Sequence, residues 1–192
     1  MTWIIVAVAV ALVLGLVVVL LYNRLVRLRN RAENAWAQVE VQLKRRHDLI
    51  PNLVQTVKGY AAHERAAFDS VTEARTSAQR ATTVEQQAAA ESGLTAALGR
   101  LFAVAENYPQ LRASENFQQL QGELEETEDK IAVARQLYND AVLSYDNARE
   151  TVPTSLVAGP LGFRPRPYFE IDERSQALPQ ADFSALPAPQ DG

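Results

Sequence analysis

Residues 3 to 21 read WIIVAVAVALVLGLVVVLL, without a single charge. As a helix this stretch spans roughly 28 Å, close to the hydrocarbon thickness of a bilayer. A buried core helix seldom stays free of charge for so long. A cleaved signal peptide would carry a basic segment ahead of the apolar stretch and a small-residue cleavage site behind it, and neither is legible. Trp3 and Tyr22 bracket the stretch at the depth amphipathic aromatics prefer. Residues 1–23 are therefore expected to form a transmembrane anchor, and everything else must fold beside a membrane.

Flanking charge predicts the orientation. Only Met1 and Thr2 precede the span, whereas Arg24, Arg27, Arg29 and Arg31 follow it. The positive-inside rule then places the amino terminus outside and the remaining chain in the cytoplasm, as in a single-pass protein of a bacterial inner membrane. From Arg24 to Arg46 seven basic residues face two acids, Glu33 and Glu40, a net of +5. With the whole chain at −4, the rest carries −9. A basic stretch of this kind either attracts an anionic leaflet or simply sets topology.

Beyond the span, apolar residues recur at helical spacing. Leu28, Ala32, Ala35, Trp36, Val39 and Leu43 form one stripe, and Ile50, Leu53, Val54, Val57, Ala61, Phe68 and Val71 a second. Val84, Ala88, Leu94, Leu98, Leu101, Phe102 and Ala105 form a third. The longest runs through Phe117, Leu120, Leu124, Thr127, Ile131, Ala134, Tyr138, Ala141, Tyr145, Ala148 and Val152. Its alternating steps of three and four make a sustained heptad seam, as in a coiled coil. Four amphipathic helices without a strand candidate predict an all-α fold: the transmembrane helix, then an antiparallel up-and-down four-helix bundle over residues 24–158.

The stretch KRRHDLIP, Lys44 to Pro51, is a local conflict. Inside a helix Pro51 would lack an N–H and crowd the carbonyl of His47, costing ~3 kcal/mol. In the first turn of a new helix the missing N–H is harmless. With Asp48 as N-cap, and with Lys44, Arg45, Arg46 and His47 closing the preceding helix, the stretch reads as a corner between antiparallel helices. One long helix kinked at Pro51 is the alternative, and the sequence leaves both open. Other boundaries are plainer. Thr82 and Thr83 can cap a helix at Val84, Tyr108–Pro109 breaks that helix, Ser114 can cap the next and Pro153 ends it. If that last helix is as long as its stripe, it must bend, overhang or reach the membrane. Residues 159–173, which include GPLGFRPRPYFE, are kept extended by proline while Phe163, Tyr168 and Phe169 give them something to bury. They are expected to form a strap along the bundle, and residues 174–192 a disordered polar, Pro-rich tail.

Catalytic chemistry is hard to place on this chain. It has no cysteine, which excludes disulfides, thiolate nucleophiles and cysteine zinc sites. Its only histidines, His47 and His63, are neither preceded by glutamate at i−3 nor partnered at i+4, so di-iron and zincin pairs are missing. His63 is expected on a solvated face. No phosphate-binding glycine loop or nucleophile elbow is present. No enzyme activity, cofactor or metal site is expected, and the acidic net charge gives no reason to expect nucleic-acid binding. The residues left for function are contact residues. Trp3, Tyr22, Arg24, Arg27, Arg29 and Arg31 would meet the lipid bilayer. Lys44, Arg45, Arg46 and Asp48 at the corner, and Glu123, Glu125, Glu126, Glu128 and Asp129 in an acidic run, would meet protein partners. The acidic run fits better still a solvated helix face with an i,i+4 pair from Glu126 to Lys130. Tyr138 and Tyr145, if buried, need hydrogen-bond partners.

Three blocks, AENAWAQVEVQLKRRHDLIPNLVQTVKGYAAHE (32–64), ENFQQLQGELEETEDKIAVARQLYNDAV (115–142) and GFRPRPYFEI (162–171), together with the amino-terminal span, resemble the LemA family of bacterial membrane proteins. The resemblance runs to about residue 185. It implies a single-pass protein with a cytoplasmic up-and-down helical bundle, which favours the corner at Pro51, and it supplies no catalytic residue. Magnetosome-associated relatives imply a part in membrane organisation. The expected function is a membrane-anchored scaffold or interaction protein. Opposite charges at the corner and the acidic run would pair between copies to give a homo-oligomer. An accessory factor in signalling or membrane-protein quality control, sensing a ligand in a pocket lined by Trp36, Tyr138 or Tyr145, is the alternative.

Overall fold

The computed structural model describes residues 1–170; the end of the expected strap and the expected tail, residues 171–192, lie outside them. Among the described residues every regular element is helical, and there is no strand. The first helix, α1, is continuous from Thr2 to Tyr60, 59 residues that join the apolar stretch directly to the folded domain. After it come α2 (Arg65–Arg80), α3 (Val84–Glu106), a single turn α4 (Pro109–Arg112), the long α5 (Glu115–Glu150) and a single turn α6 (Ser155–Ala158).

The continuity of α1 corrects the corner. Pro51 lies inside the helix, and Asp48 caps nothing; it pairs with Lys44 one turn away at 3.2 Å. Nor do Lys44, Arg45, Arg46 and His47 close a helix. The physical reason lies in α2. Proline cannot return a hydrogen bond to the carbonyl four residues back, that of His47. Arg75 supplies the missing donor, its Nε giving a 2.8 Å bond to the His47 carbonyl. The chain turns instead at Ala61–Glu64, so the second apolar stripe is divided between α1 and α2.

Other boundaries fall as expected. Thr83 caps α3, its hydroxyl accepting from the Gln86 N–H, while Gln86 Oε1 reaches back to the Thr82 N–H. Pro109 opens α4. Ser114 stands at the N-cap of α5 without a side-chain bond, and α5 ends three residues before Pro153.

Helices α1 and α5 form the backbone of the molecule. They run antiparallel, since Leu25 clusters with Tyr145 and Ala148 while Ile50 and Leu53 cluster with Phe117 and Leu124. The α2–α3 hairpin covers only the distal part of this pair. There Leu53, Val71, Leu94, Leu101 and Leu111 are completely buried, each worth roughly 1.5–3 kcal/mol relative to exposure. Nearer the apolar end of α1 the extended chain takes over. Phe169 enters the middle cluster with Ala32, Val39 and Tyr138, and Phe163 enters the proximal one with Leu25 and Tyr145. The length of α5 thus needs no overhang: it lies beside α1 down to Leu25.

The extended segment is fixed through its backbone. Tyr138 donates to the Pro167 carbonyl at 2.7 Å and Tyr145 to the Arg164 carbonyl at 2.8 Å, the partners the buried phenols required. Asn139 accepts from the Phe169 N–H at 2.9 Å and donates to its carbonyl. Before it, Gly162 takes φ +77°, a region open to glycine without steric penalty. This lets the Phe163 N–H reach the Ala158 carbonyl and turns the chain back onto α5.

Candidate functional site

Two positions on the inner stripes of α1 and α3 are ionisable where apolar residues are expected. Glu91 sits three residues from both Ala88 and Leu94, and its side chain is fully buried. His47 lies four residues after Leu43 on α1 and is also buried, beside buried Arg46. The helices bring them together. Glu91 is within 2.7 Å of His47 Nε2 and 3.3 Å of Arg46 Nη1, and it accepts from Gln87 Nε2 at 2.9 Å. Arg46 further donates to Thr95 Oγ1 at 2.9 Å and pairs with Glu128 of α5 at 3.2 Å. With Glu91 ionised, the ring nitrogen facing it carries the proton. One carboxylate thus answers two nitrogen bases, and Arg46 ties α1 to both α3 and α5. Chemically this is an ionic clamp between helices. Among the described residues no three His, Asp or Glu side chains gather so as to hold a metal ion.

The basic stretch and the acidic run, singled out separately from the sequence, face each other across α1 and α5. Arg45 meets Glu126 at 3.7 Å and Arg46 meets Glu128. Glu126 also takes the i,i+4 bond from Lys130. That bond, with the charges of Lys130 and Arg45, holds its carboxyl below the ordinary glutamate range. Glu123 and Glu125 accept from Gln119 and Gln121 one turn earlier, while Asp129 is exposed. Within the same run Leu124 and Thr127 turn inward. Much of the charge proposed to join copies is therefore engaged within one chain. His63 is exposed.

At the apolar end of the molecule, Trp3 is exposed at the start of α1, and Tyr22 packs edge-on against Phe163 at 5.6 Å. Arg29 lies over the same ring at 5.9 Å and pairs with Glu33, which also receives Arg166. Arg31 is exposed. Arg24 and Arg27 line a groove of about 410 Å³ with Ser144, Asn147 and Thr151 from the end of α5. The space around Trp36, Tyr138 and Tyr145 is occupied. The Trp36 ring lies 5.2 Å from Tyr138 and 5.3 Å from Phe169, and burial pushes the Tyr138 phenol up to about 12. A more open cleft of about 370 Å³ lies between α3 and α5, lined by Leu98, Phe102 and Leu124 with Arg46, Glu125 and Glu128 around them.

Sequence reasoning missed Glu91, Arg75 and Thr95. Glu91 was legible as a carboxylate on an apolar stripe, opposite another stripe broken by His47. Arg75 carried no local signal.

Magnetosome protein MamQ 2 of Paramagnetospirillum magneticum is 28% identical over 175 residues, covering 78% of this chain and 64% of the relative. Magnetosome protein MamQ of Magnetospirillum gryphiswaldense is 26% identical over 174 residues, covering 77% and 64%. Protein LemA of Metamycoplasma hominis is 26% identical over 153 residues, covering 79% and 69%. The chain thus spans less than two thirds of the length of the magnetosome relatives. An apolar amino-terminal helix and such relatives describe a membrane-associated helical protein. The LemA family model matches residues 35–183, most of the chain, and the protein belongs to the LemA family.

Proposed function

We propose that this protein is a single-pass scaffold of the bacterial inner membrane, whose α1, α2, α3 and α5 act as an up-and-down four-helix bundle presented to the cytoplasm. One observation carries the reading: α1 passes without a break from an exposed apolar stretch, mean hydropathy 3.5, into the centre of the folded domain. A helix this apolar and this exposed is long enough to cross a bilayer, and lipid would cover the side chains that water leaves bare. Arg24, Arg27, Arg29 and Arg31 support a cytoplasmic domain. The magnetosome relatives support a part in membrane organisation.

Self-association belongs to the same reading. With the Arg45–Glu126 and Arg46–Glu128 pairs closed internally, apolar contact is the better basis for it. Val133 and Leu137, one turn apart on α5, are exposed. The cleft between α3 and α5 favours a second reading, an accessory factor that takes an apolar segment of a partner.

The test uses the absence of native cysteine. Asn107→Cys places one thiol at the exposed end of α3. A membrane-impermeant maleimide should label it only after cell lysis; labelling of intact cells would overturn the orientation. Photobleaching of the same labelled chain in vesicles should show more than one step per particle. Single steps at all protein densities would remove self-association.

A further inference from the structure

We propose that the turn after α5, residues 152–161, is a second membrane contact that rests in the interfacial layer beside the anchor. This rests on the reading of residues 3–21 as a span. The turn is placed by its packing. Ala158 and Phe163 share a cluster with Leu25, and Phe163 meets the ring of Tyr22. Tyr22 is the next residue after the apolar stretch, and Leu25 lies roughly 6 Å beyond Leu21, the last residue of that stretch. The headgroup layer on each side of the hydrocarbon is of about the same depth, roughly 5–8 Å. A segment packed on Tyr22 and Leu25 therefore sits at the height of the lipid headgroups.

The chemistry of the turn suits that height. Ala158 and Phe163 point inward, but Val152 and Leu156 are 70% and 72% exposed, the most exposed large apolar side chains among the described residues beyond the anchor. Leu161 is 43% exposed. Residues 151–163, TVPTSLVAGPLGF, contain no charge at all. Around them stand Arg24 and Arg27 in the groove beside α5, and Arg164 just beyond. The nearest acid, Glu150, is paired with Arg149. Exposed apolar side chains bordered by arginines match an interface in which acyl chains lie beneath anionic headgroups. Water would leave Val152 and Leu156 with nothing to pack against. The lipid surface, already fixed next to them by α1, covers them. Helix α5 is thereby attached to the membrane at its own end as well as through α1.

The test is depth-resolved quenching on the full chain. Val13→Cys, Leu156→Cys, Val152→Cys and Asn107→Cys, one at a time, would carry a polarity-sensitive fluorophore in phosphatidylethanolamine–phosphatidylglycerol vesicles. The vesicles would contain lipids with a nitroxide either at the headgroup or deep in the acyl chain. The proposal expects loss of emission at 152 and 156 with the headgroup nitroxide, at 13 with the deep nitroxide, and at 107 with neither. Quenching at 13 without quenching at 152 or 156 overturns the membrane contact alone. Blue-shifted but unquenched emission at 156 that grows with protein density would assign the turn to a second copy, and likewise overturns it. No quenching at 13 overturns the reading of the span itself.

Discussion

Glu91 has no exposure to water and yet answers Arg46 and His47 at once. Breaking such a centre costs more than the centre is worth, because removing one partner leaves the other charge buried. Glu91→Ala is expected to lower unfolding stability by about 3–5 kcal/mol. Urea titration followed by circular dichroism would read this. The joint replacement Arg46→Met, His47→Leu and Glu91→Leu should lose far less, since no buried charge is then stranded and Glu128, the outer partner of Arg46, is open to water. A triple variant as unstable as Glu91→Ala would show that the centre contributes net stability. Which residues lie inside was largely legible, because the stripes on α1, α3 and α5 name most of the buried set. The pairing was not. A sequence shows that position 91 interrupts a stripe, but three-dimensional packing decides what meets the interruption.

Elements tell a similar story with Pro51. Every local signal there, the proline, Asp48 and three preceding basic residues, suits a helix boundary. The outcome was set by Arg75, twenty-eight residues beyond His47, whose guanidinium satisfies the carbonyl that proline leaves free. Arg75→Met should therefore cost about 1–3 kcal/mol, the penalty of an unsatisfied buried acceptor. In a Pro51→Ala background the helix can supply its own N–H, and the same substitution should cost clearly less. Equal costs in both backgrounds, measured by a double-mutant cycle, would refute the compensation. Boundaries decided within a few residues, such as the Thr83 cap and Pro109, were legible for that reason. The extended segment gives a pH-dependent prediction. Tyr138 holds the Pro167 carbonyl, and burial raises its phenol to about 12 from an ordinary 10. The unfolded chain ionises first, so the stability from this group is complete below pH 10 and is lost as pH climbs towards 12. Tyr138→Phe should be less stable at neutral pH by about 1 kcal/mol and show a shallower decline between pH 10 and 12 in thermal melts. An unchanged decline would mean other groups govern it.

At the scale of the whole molecule, the apolar stretch was legible at once and the path beyond it was not. A corner at Pro51 would give a short bundle, whereas an unbroken α1 gives a tall one. From Tyr22 to Tyr60 the helix rises roughly 57 Å. Energy transfer from a dye at Asn107→Cys to acceptor lipids should report a position far from the bilayer, and a dye close to the lipid would contradict an upright domain. On the transmembrane reading proposed above, the continuity of α1 from the apolar stretch into the domain makes the helix a lever. Membrane helices tilt by about 20° on average, and they tilt further as the bilayer thins. At a height of roughly 57 Å such a lean carries the distal end sideways by roughly 20 Å. On that reading bilayer thickness sets the lateral reach of the far end, with no conformational change needed in α1.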